Sequence, residues 1–172
     1  INPAATIALA AAGKFAWGDV PTYIAGQMLG AMIGALIVWM TYRQPFEQKQ
    51  DSNAKLAVFF TGPAIRNPLN NLVSEIVGTF ILIFGILHMV APQSSLGSLD
   101  ALPAALLVFG IGLSLGGTTG FAINPARDLG PRIMHAILLI PTTRAIDWVY
   151  AYVPVLGPLI GGLVAVSLFN LL

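Results

Sequence analysis

The sequence predicts an all-α integral membrane protein, with four helices that span the bilayer and two shorter ones that enter it without crossing. Three observations carry this. Hydrophobic residues make up 56% of the 172 and charged residues only 9%, against about 25% charged in a soluble domain, so lipid must solvate the chain. Several uncharged runs are long enough to span a membrane. The tetrapeptide Ile-Asn-Pro-Ala occurs twice, at Ile1 and Ile123, each time opening an apolar segment too short to span.

Composition also excludes several classes. A net charge of +1 gives no electrostatic case for nucleic acid. The absence of cysteine rules out a disulfide framework, a thiolate metal site and a nucleophilic thiol. The chain shows no nucleophile–base set, metal cluster or phosphate loop, so no cofactor or metal is expected and an enzyme is disfavoured. The length fits one domain, taken as residues 1–172.

The first short helix is expected over residues 2–12, roughly 16 Å long. Asn2 is a favoured N-cap, and Pro3 suits the first helical position because its missing N–H would be unpaired there anyway. Ala4 completes the motif. Tyr23 to Tyr42, YIAGQMLGAMIGALIVWMTY, is an uncharged span in which Gly26, Gly30 and Gly34 form a smooth stripe expected to pack another helix. Arg43 to Asn71 reads as a long polar connection holding Glu47, Lys49, Asp51, Lys55 and Arg66, with Leu56 to Phe60 touching the interface. Residues 72–90 form a second span, with Glu75 near one end and His88 near the other. Ala91 to Asp100 reads as a turn, and residues 102–117 as a third span leading into Gly116, Gly117 and Gly120. The second short helix, 124–139, repeats the start signal with Asn124, Pro125 and Ala126. Residues 150–172 form the fourth span. Trp17, Trp39, Trp148, Tyr150 and Tyr152 read as interfacial aromatics.

Short helices at membrane depth are tolerated only where their ends face protein or a water-filled cavity. Interrupted segments in corresponding positions of two halves point to a site at the repeat interface. Two helix N-termini meeting there would present positive dipole ends and unpaired N–H donors, hostile to cations. The amides of Asn2 and Asn124 would add donors, and Arg127 a permanent charge. An extended Gly120–Ile123 backbone would offer carbonyl acceptors. Such a passage suits a neutral hydroxylated solute.

The paired INPA and INPAR motifs resemble those of the aquaporins, the major intrinsic protein family. The run GFAINPARDLGP is similar to the glycerol-facilitator branch, which has a large aromatic three residues before the second Asn, as Phe121 is here. That branch also has glycine twelve residues before the Asn, here Gly112, where water channels usually have histidine. Pro154-Val155 fits the same branch. The resemblance implies an aquaporin-like bundle carrying four of six spanning helices, with two helices and a second filter aromatic expected upstream, so the chain reads as a fragment. It implies a homotetramer in a bacterial plasma membrane that conducts glycerol, water and small polyols. Phe121 would supply an apolar filter face, Arg127 and the carbonyls of Phe121, Ala122 and Ile123 the polar one, and Gly112 the width. Glu75 would accept hydrogen bonds from the re-entrant backbone; a proton-relay role is its alternative. Asp128 would brace the turn beside Arg127 or the first turn of its own helix. A water-selective channel and an ion-coupled transporter are the alternative functions. The lysines and arginines between Arg43 and Arg66 would put that connection inside by the positive-inside rule, whereas the resemblance puts it outside.

Overall fold

A computed structural model describes residues 2–47, 52–89, 95, 97–138, 140 and 146–172. Ile1, Lys49, Asp51, Val90, half of the expected turn over 91–100, and Leu139 lie outside the described residues. Eight α-helices follow in order among those described: α1 (Pro3–Ala11), α2 (Val20–Thr41), α3 (Arg43–Glu47), α4 (Ser52–Phe59), α5 (Pro68–His88), α6 (Leu102–Thr119), α7 (Pro125–Ile137) and α8 (Val153–Phe169). Short 3₁₀ turns cover Trp17–Asp19, Gly97–Ala101 and Trp148–Tyr152. Proline occupies one of the first two positions of α1, α2, α5, α6, α7 and α8. There its fixed φ suits the helix and its missing N–H removes no bond, so the sequence itself sets these starts.

Taken with their leading turns, α2, α5, α6 and α8 are long and apolar enough to cross a membrane. α1 and α7 are not, at roughly 14 Å and 20 Å. α5 and α8 form the centre, and α1 lies against α8, α7 against α2, and α6 against α5. Their apolar core joins Ala8 of α1, Leu82, Ile83 and Leu87 of α5, Ile111 of α6, Ile123, and Ala165 and Val166 of α8.

Glycine sets the closest crossings, but not the glycines the sequence singled out. A Cβ at Gly161 would stand 2.2 Å from the Ile76 carbonyl oxygen, and one at Gly157 2.5 Å from Glu75 Cβ, so α5 and α8 meet backbone to backbone. Gly130 of α7 likewise meets Ala31 of α2 at 2.7 Å. A Cβ at Gly26, Gly30 or Gly34 would meet nothing within 4 Å. At 100° per residue, the centre of this stripe lies about 130° round α2 from that of Met28, Ala31 and Ala35, the face that α7 covers.

The 43–71 connection also differs from expectation. It contains α3 and α4, and Phe46, Leu56, Phe59 and Phe60 are buried with Ala35 and Ile140 in a second core cluster flanked by Trp39. Periodicity was obscured there because α4 carries Lys55, which is buried and donates from Nζ to the Phe46 carbonyl. Tyr150, expected in an interfacial belt, is only 3% exposed, and Trp39 packs on the second cluster; Trp17 and Trp148 are exposed.

Candidate pore and selectivity filter

The two Asn-Pro-Ala motifs form the same cap twice. Asn2 has φ −161° and ψ 105°, and Asn124 φ −158° and ψ 108°. Asn2 Oδ1 accepts from the backbone N–H of Ala4 at 3.0 Å and Ala5 at 3.3 Å. Asn124 Oδ1 accepts from Ala126 at 3.0 Å and Arg127 at 3.3 Å. The expectation of unpaired N–H donors therefore needs correction. In α1, Pro3 has no N–H, the next two are capped, and Thr6 N–H reaches the Asn2 carbonyl at 3.0 Å. The positive end of the dipole remains, but in α1 it is not a cluster of free amides.

The caps meet. Asn2 Nδ2 donates to the Ile123 carbonyl at 2.8 Å, across the junction of the two motifs. Pro3, Ala4, Pro125 and Ala126 are buried behind it. On the far side of α1, Gln27 donates to Thr6 Oγ1 at 2.9 Å, and Thr6 in turn donates to the Asn2 carbonyl at 3.1 Å. Gln27, given no role from sequence, thus ties α2 to the first motif.

The backbone entering α7 is not extended. Gly120 (φ 75°), Phe121 (φ 39°) and Ile123 (φ 40°) are left-handed. For Phe121 and Ile123 this costs roughly 1–3 kcal/mol each and persists only where surroundings enforce it. Glu75 enforces it. The carboxylate is 1% exposed; one oxygen accepts from Thr119 Oγ1 at 2.6 Å and the Ala122 N–H at 2.9 Å, the other from the Ile123 N–H at 2.6 Å. An extended chain turns successive amides to opposite sides, whereas here two successive N–H groups face one carboxylate. Across a trans peptide the preceding carbonyl points the other way, so the carbonyls of Phe121 and Ala122 turn away from Glu75. The expected extension is replaced by alternating handedness, which leaves these carbonyls facing away from Glu75.

Gly112 and Gly116 of α6 make room for the Phe121 ring. A Cβ at Gly112 would lie 3.2 Å from Phe121 Cζ, and one at Gly116 3.0 Å from Cδ1. The Arg127 guanidinium stands 5.3 Å from the centre of the same ring. Arg127 is exposed, and among the described residues its side chain makes no hydrogen bond, so its donors are available.

Asp128 turns away from the Phe121–Arg127 pair. It is fully buried and accepts from Arg132 Nε at 2.8 Å and Nη2 at 3.0 Å, and from Thr61 N–H at 2.8 Å and Oγ1 at 2.6 Å. Arg132, also fully buried, donates to the carbonyls of Asp147 at 2.8 Å and Thr61 at 3.2 Å and lies 4.0 Å over the Phe60 ring. The bracing reading of Asp128 beside Arg127 is thus replaced by a clamp on the segment after α4. Sequence reasoning missed Arg132 and Thr61. The signal for Arg132 was an Asp and an Arg four apart in an apolar helix; Thr61 gave none. Among the described residues no group of His, Cys, Asp and Glu could hold a metal.

Comparison with known proteins fits this geometry. The family described as "Major intrinsic protein" matches residues 1–169. The "Probable glycerol uptake facilitator protein" of Thermotoga maritima is 53% identical over 170 residues, covering 99% of this chain and 72% of that protein. The "Glycerol uptake facilitator protein" of Bacillus subtilis is 54% identical over 162 residues, covering 94% of this chain and 59% of that protein. The X-ray structure of the aquaglyceroporin from Plasmodium falciparum superimposes with a TM-score of 0.82 at 30% identity, covering 98% of this chain and 70% of that one. The half-helix pair joined at Asn2 and Ile123 is therefore set in a known architecture, and the chain belongs to the major intrinsic protein family.

Proposed function

We propose that the chain forms a passive channel for glycerol and similar small polyols, passing water as well and excluding ions and protons. It is a multi-pass membrane protein of a channel family, not an enzyme. The observation that carries the reading is the Phe121 ring spanning Gly112 and Gly116 with the unbonded Arg127 guanidinium 5.3 Å away. A polyol has one carbon edge and one hydroxyl edge, and this pairing gives each a partner. An ion finds no ring of carboxylates to replace its water, and meets a fixed cation and two helix N-termini.

In this reading Asn2, Asn124, Arg127 and the carbonyls of Phe121, Ala122 and Ile123 bind hydroxyls in passage, and Gly112 and Gly120 set the width. Pro3, Ala4, Pro125, Ala126, Asp128 and Glu75 hold the frame. Residues 1–172 act as one channel domain, assembled as a homotetramer in a bacterial plasma membrane. The glycerol facilitators among its relatives support the solute. Shrinkage and reswelling of proteoliposomes under glycerol and sucrose gradients test it. Reswelling in glycerol but not sucrose is expected; water flux without glycerol flux would refute it.

A further inference from the structure

α7 buries a histidine that the pore does not use. His135 is 2% exposed, and among the described residues neither ring nitrogen has a hydrogen-bond partner. Its ring meets those of Phe59 and Phe60 edge to face, at 5.1 Å and 5.8 Å between centres. Leucine or phenylalanine would fill this box without leaving two polar atoms unpaired, so packing does not account for a histidine.

The box is coupled to the filter through one residue. Phe60 runs directly into Thr61, which Asp128 and Arg132 hold by its N–H, hydroxyl and carbonyl. Thr61 Cγ2 lies 3.4 Å from where a Cβ on Gly120 would be, and Gly120 precedes the filter ring Phe121. The Ala64 N–H continues the docking onto the Thr118 carbonyl at 3.0 Å.

Among the described residues, the charged groups around the box give a protonated ring no partner. On α7, Arg132 is a cation one turn away, and Asp128 is already bonded to Arg132 and Thr61. On α4, Lys55 is a second buried cation, donating to the Phe46 carbonyl. Asp147, beyond α7, is bonded to Arg66 through its carboxylate and to Arg132 through its carbonyl. The α2 side contributes Ala35 and Trp39, which carry no charge.

We propose that His135 is an acid-sensitive latch. Neutral, it seats α4 and keeps Thr61 against the filter. Protonated, it is an uncompensated charge beneath Phe59 and Phe60; α4 lifts, Thr61 leaves Asp128 and Gly120, and solute flux falls. Burial holds the His135 imidazole below the ordinary histidine value of about 6.5, so the latch stays closed near neutral pH and opens on the acid side of that value. The flux consequence rests on the channel reading; the movement of α4 does not.

Trp39, packed on the cluster that holds Phe59 and Phe60, is a built-in probe. In protein with W17F and W148F, emission from Trp39 would be followed in liposomes from about pH 7.5 to pH 5, beside glycerol flux. Expected are a red shift and a several-fold loss of flux, both abolished by H135F, whose aromatic ring fills the box but cannot titrate. Identical pH profiles with and without H135F, or flat ones in both, overturn the latch. A His135-dependent red shift with unchanged flux overturns the gating. Absence of flux at every pH counts against the channel reading, while the emission still decides whether α4 moves.

Discussion

Asn2 and Ile123 stand 121 residues apart and are joined by one hydrogen bond, from the Asn2 side-chain amide to the Ile123 carbonyl at 2.8 Å. Asn2 thereby does two things with one side chain, since its oxygen caps α1. Asn2→Asp keeps the cap and the volume but replaces the donor with a second acceptor. It should cost about 1–3 kcal/mol, the penalty for an unsatisfied buried partner, and lower solute flux. Thermal unfolding in detergent and proteoliposome flux check both, and unchanged values would mean the junction is held by packing alone.

Glu75→Gln tests the origin of the left-handed backbone. The carboxylate accepts three hydrogen bonds through two oxygens. A glutamine offers one acceptor oxygen and turns an NH₂ against an N–H donor. We expect a loss of about 1–3 kcal/mol and a fall in flux, with little change in α5 helicity by circular dichroism. A proton-relay role predicts the reverse, namely intact stability with altered pH dependence of flux.

The glycines divide into three groups with different predictions. Gly161→Ala would set a Cβ 2.2 Å from the Ile76 carbonyl oxygen, where no side chain can move aside, so folded yield should collapse. Gly112→Ala at 3.2 Å from Phe121 Cζ asks only for a small ring shift, and should narrow the filter and slow glycerol more than water. Ala at Gly26, Gly30 or Gly34 meets nothing within 4 Å in this chain and should leave its fold unchanged. Membrane expression, monitored by fluorescence-detected gel filtration, separates these cases.

This contrast also marks how far the sequence could be read. Spans, half-helices and the Asn-Pro-Ala junction were legible because each depends on local signals: apolar length, N-cap asparagine and first-turn proline. Phe121 and Gly112 came from motif resemblance and Arg127 from its place at the start of the second short helix, and the Phe121 ring lies beside both. The Gly26–Gly34 stripe meets no helix of this chain among the described residues, because spacing identifies a smooth face without saying what covers it. Asp128 was read as a brace either beside Arg127 or in the first turn of its own helix; it stands in that first turn, and on a helix it points some 100° away from Arg127 and toward Arg132. Gly120–Ile123 was expected to be extended because positive φ at Phe and Ile has no residue signature; it is imposed from α5, some 45 residues earlier.

Two arginines five residues apart on one helix should behave differently. Arg132 is fully buried and bonded to Asp128, Thr61 and Asp147. Arg132→Leu strands the Asp128 charge and should destabilise by about 3–5 kcal/mol, the usual cost of breaking a buried pair from one side. Arg127 makes no side-chain hydrogen bond among the described residues, so Arg127→Leu should leave the melting temperature nearly unchanged and weaken discrimination against charged solutes. Liposome ion-leak assays beside thermal melts decide; equal melting losses in both would contradict the division of roles.

Beyond α7, Arg66 and Asp147 form a part-exposed bridge from both terminal guanidinium nitrogens, Nη2 at 3.2 Å from Oδ1. The hydrogen bond from Arg66 holds the Asp147 carboxyl below the usual carboxylate range, aided by the Tyr150 N–H. A carboxyl whose folded value is depressed stabilises fully above its unfolded value, about 3.9, and loses that contribution as pH falls through the folded value. The bridge should therefore persist at every pH where the His135 latch operates. Arg66→Gln should lower the melting temperature slightly and equally at pH 7.5 and pH 5, and the difference should narrow only below about pH 4. Because the pair is exposed, added salt should shrink it. A difference that vanished between pH 7.5 and pH 5 would assign the acid response to this bridge and not to the buried histidine.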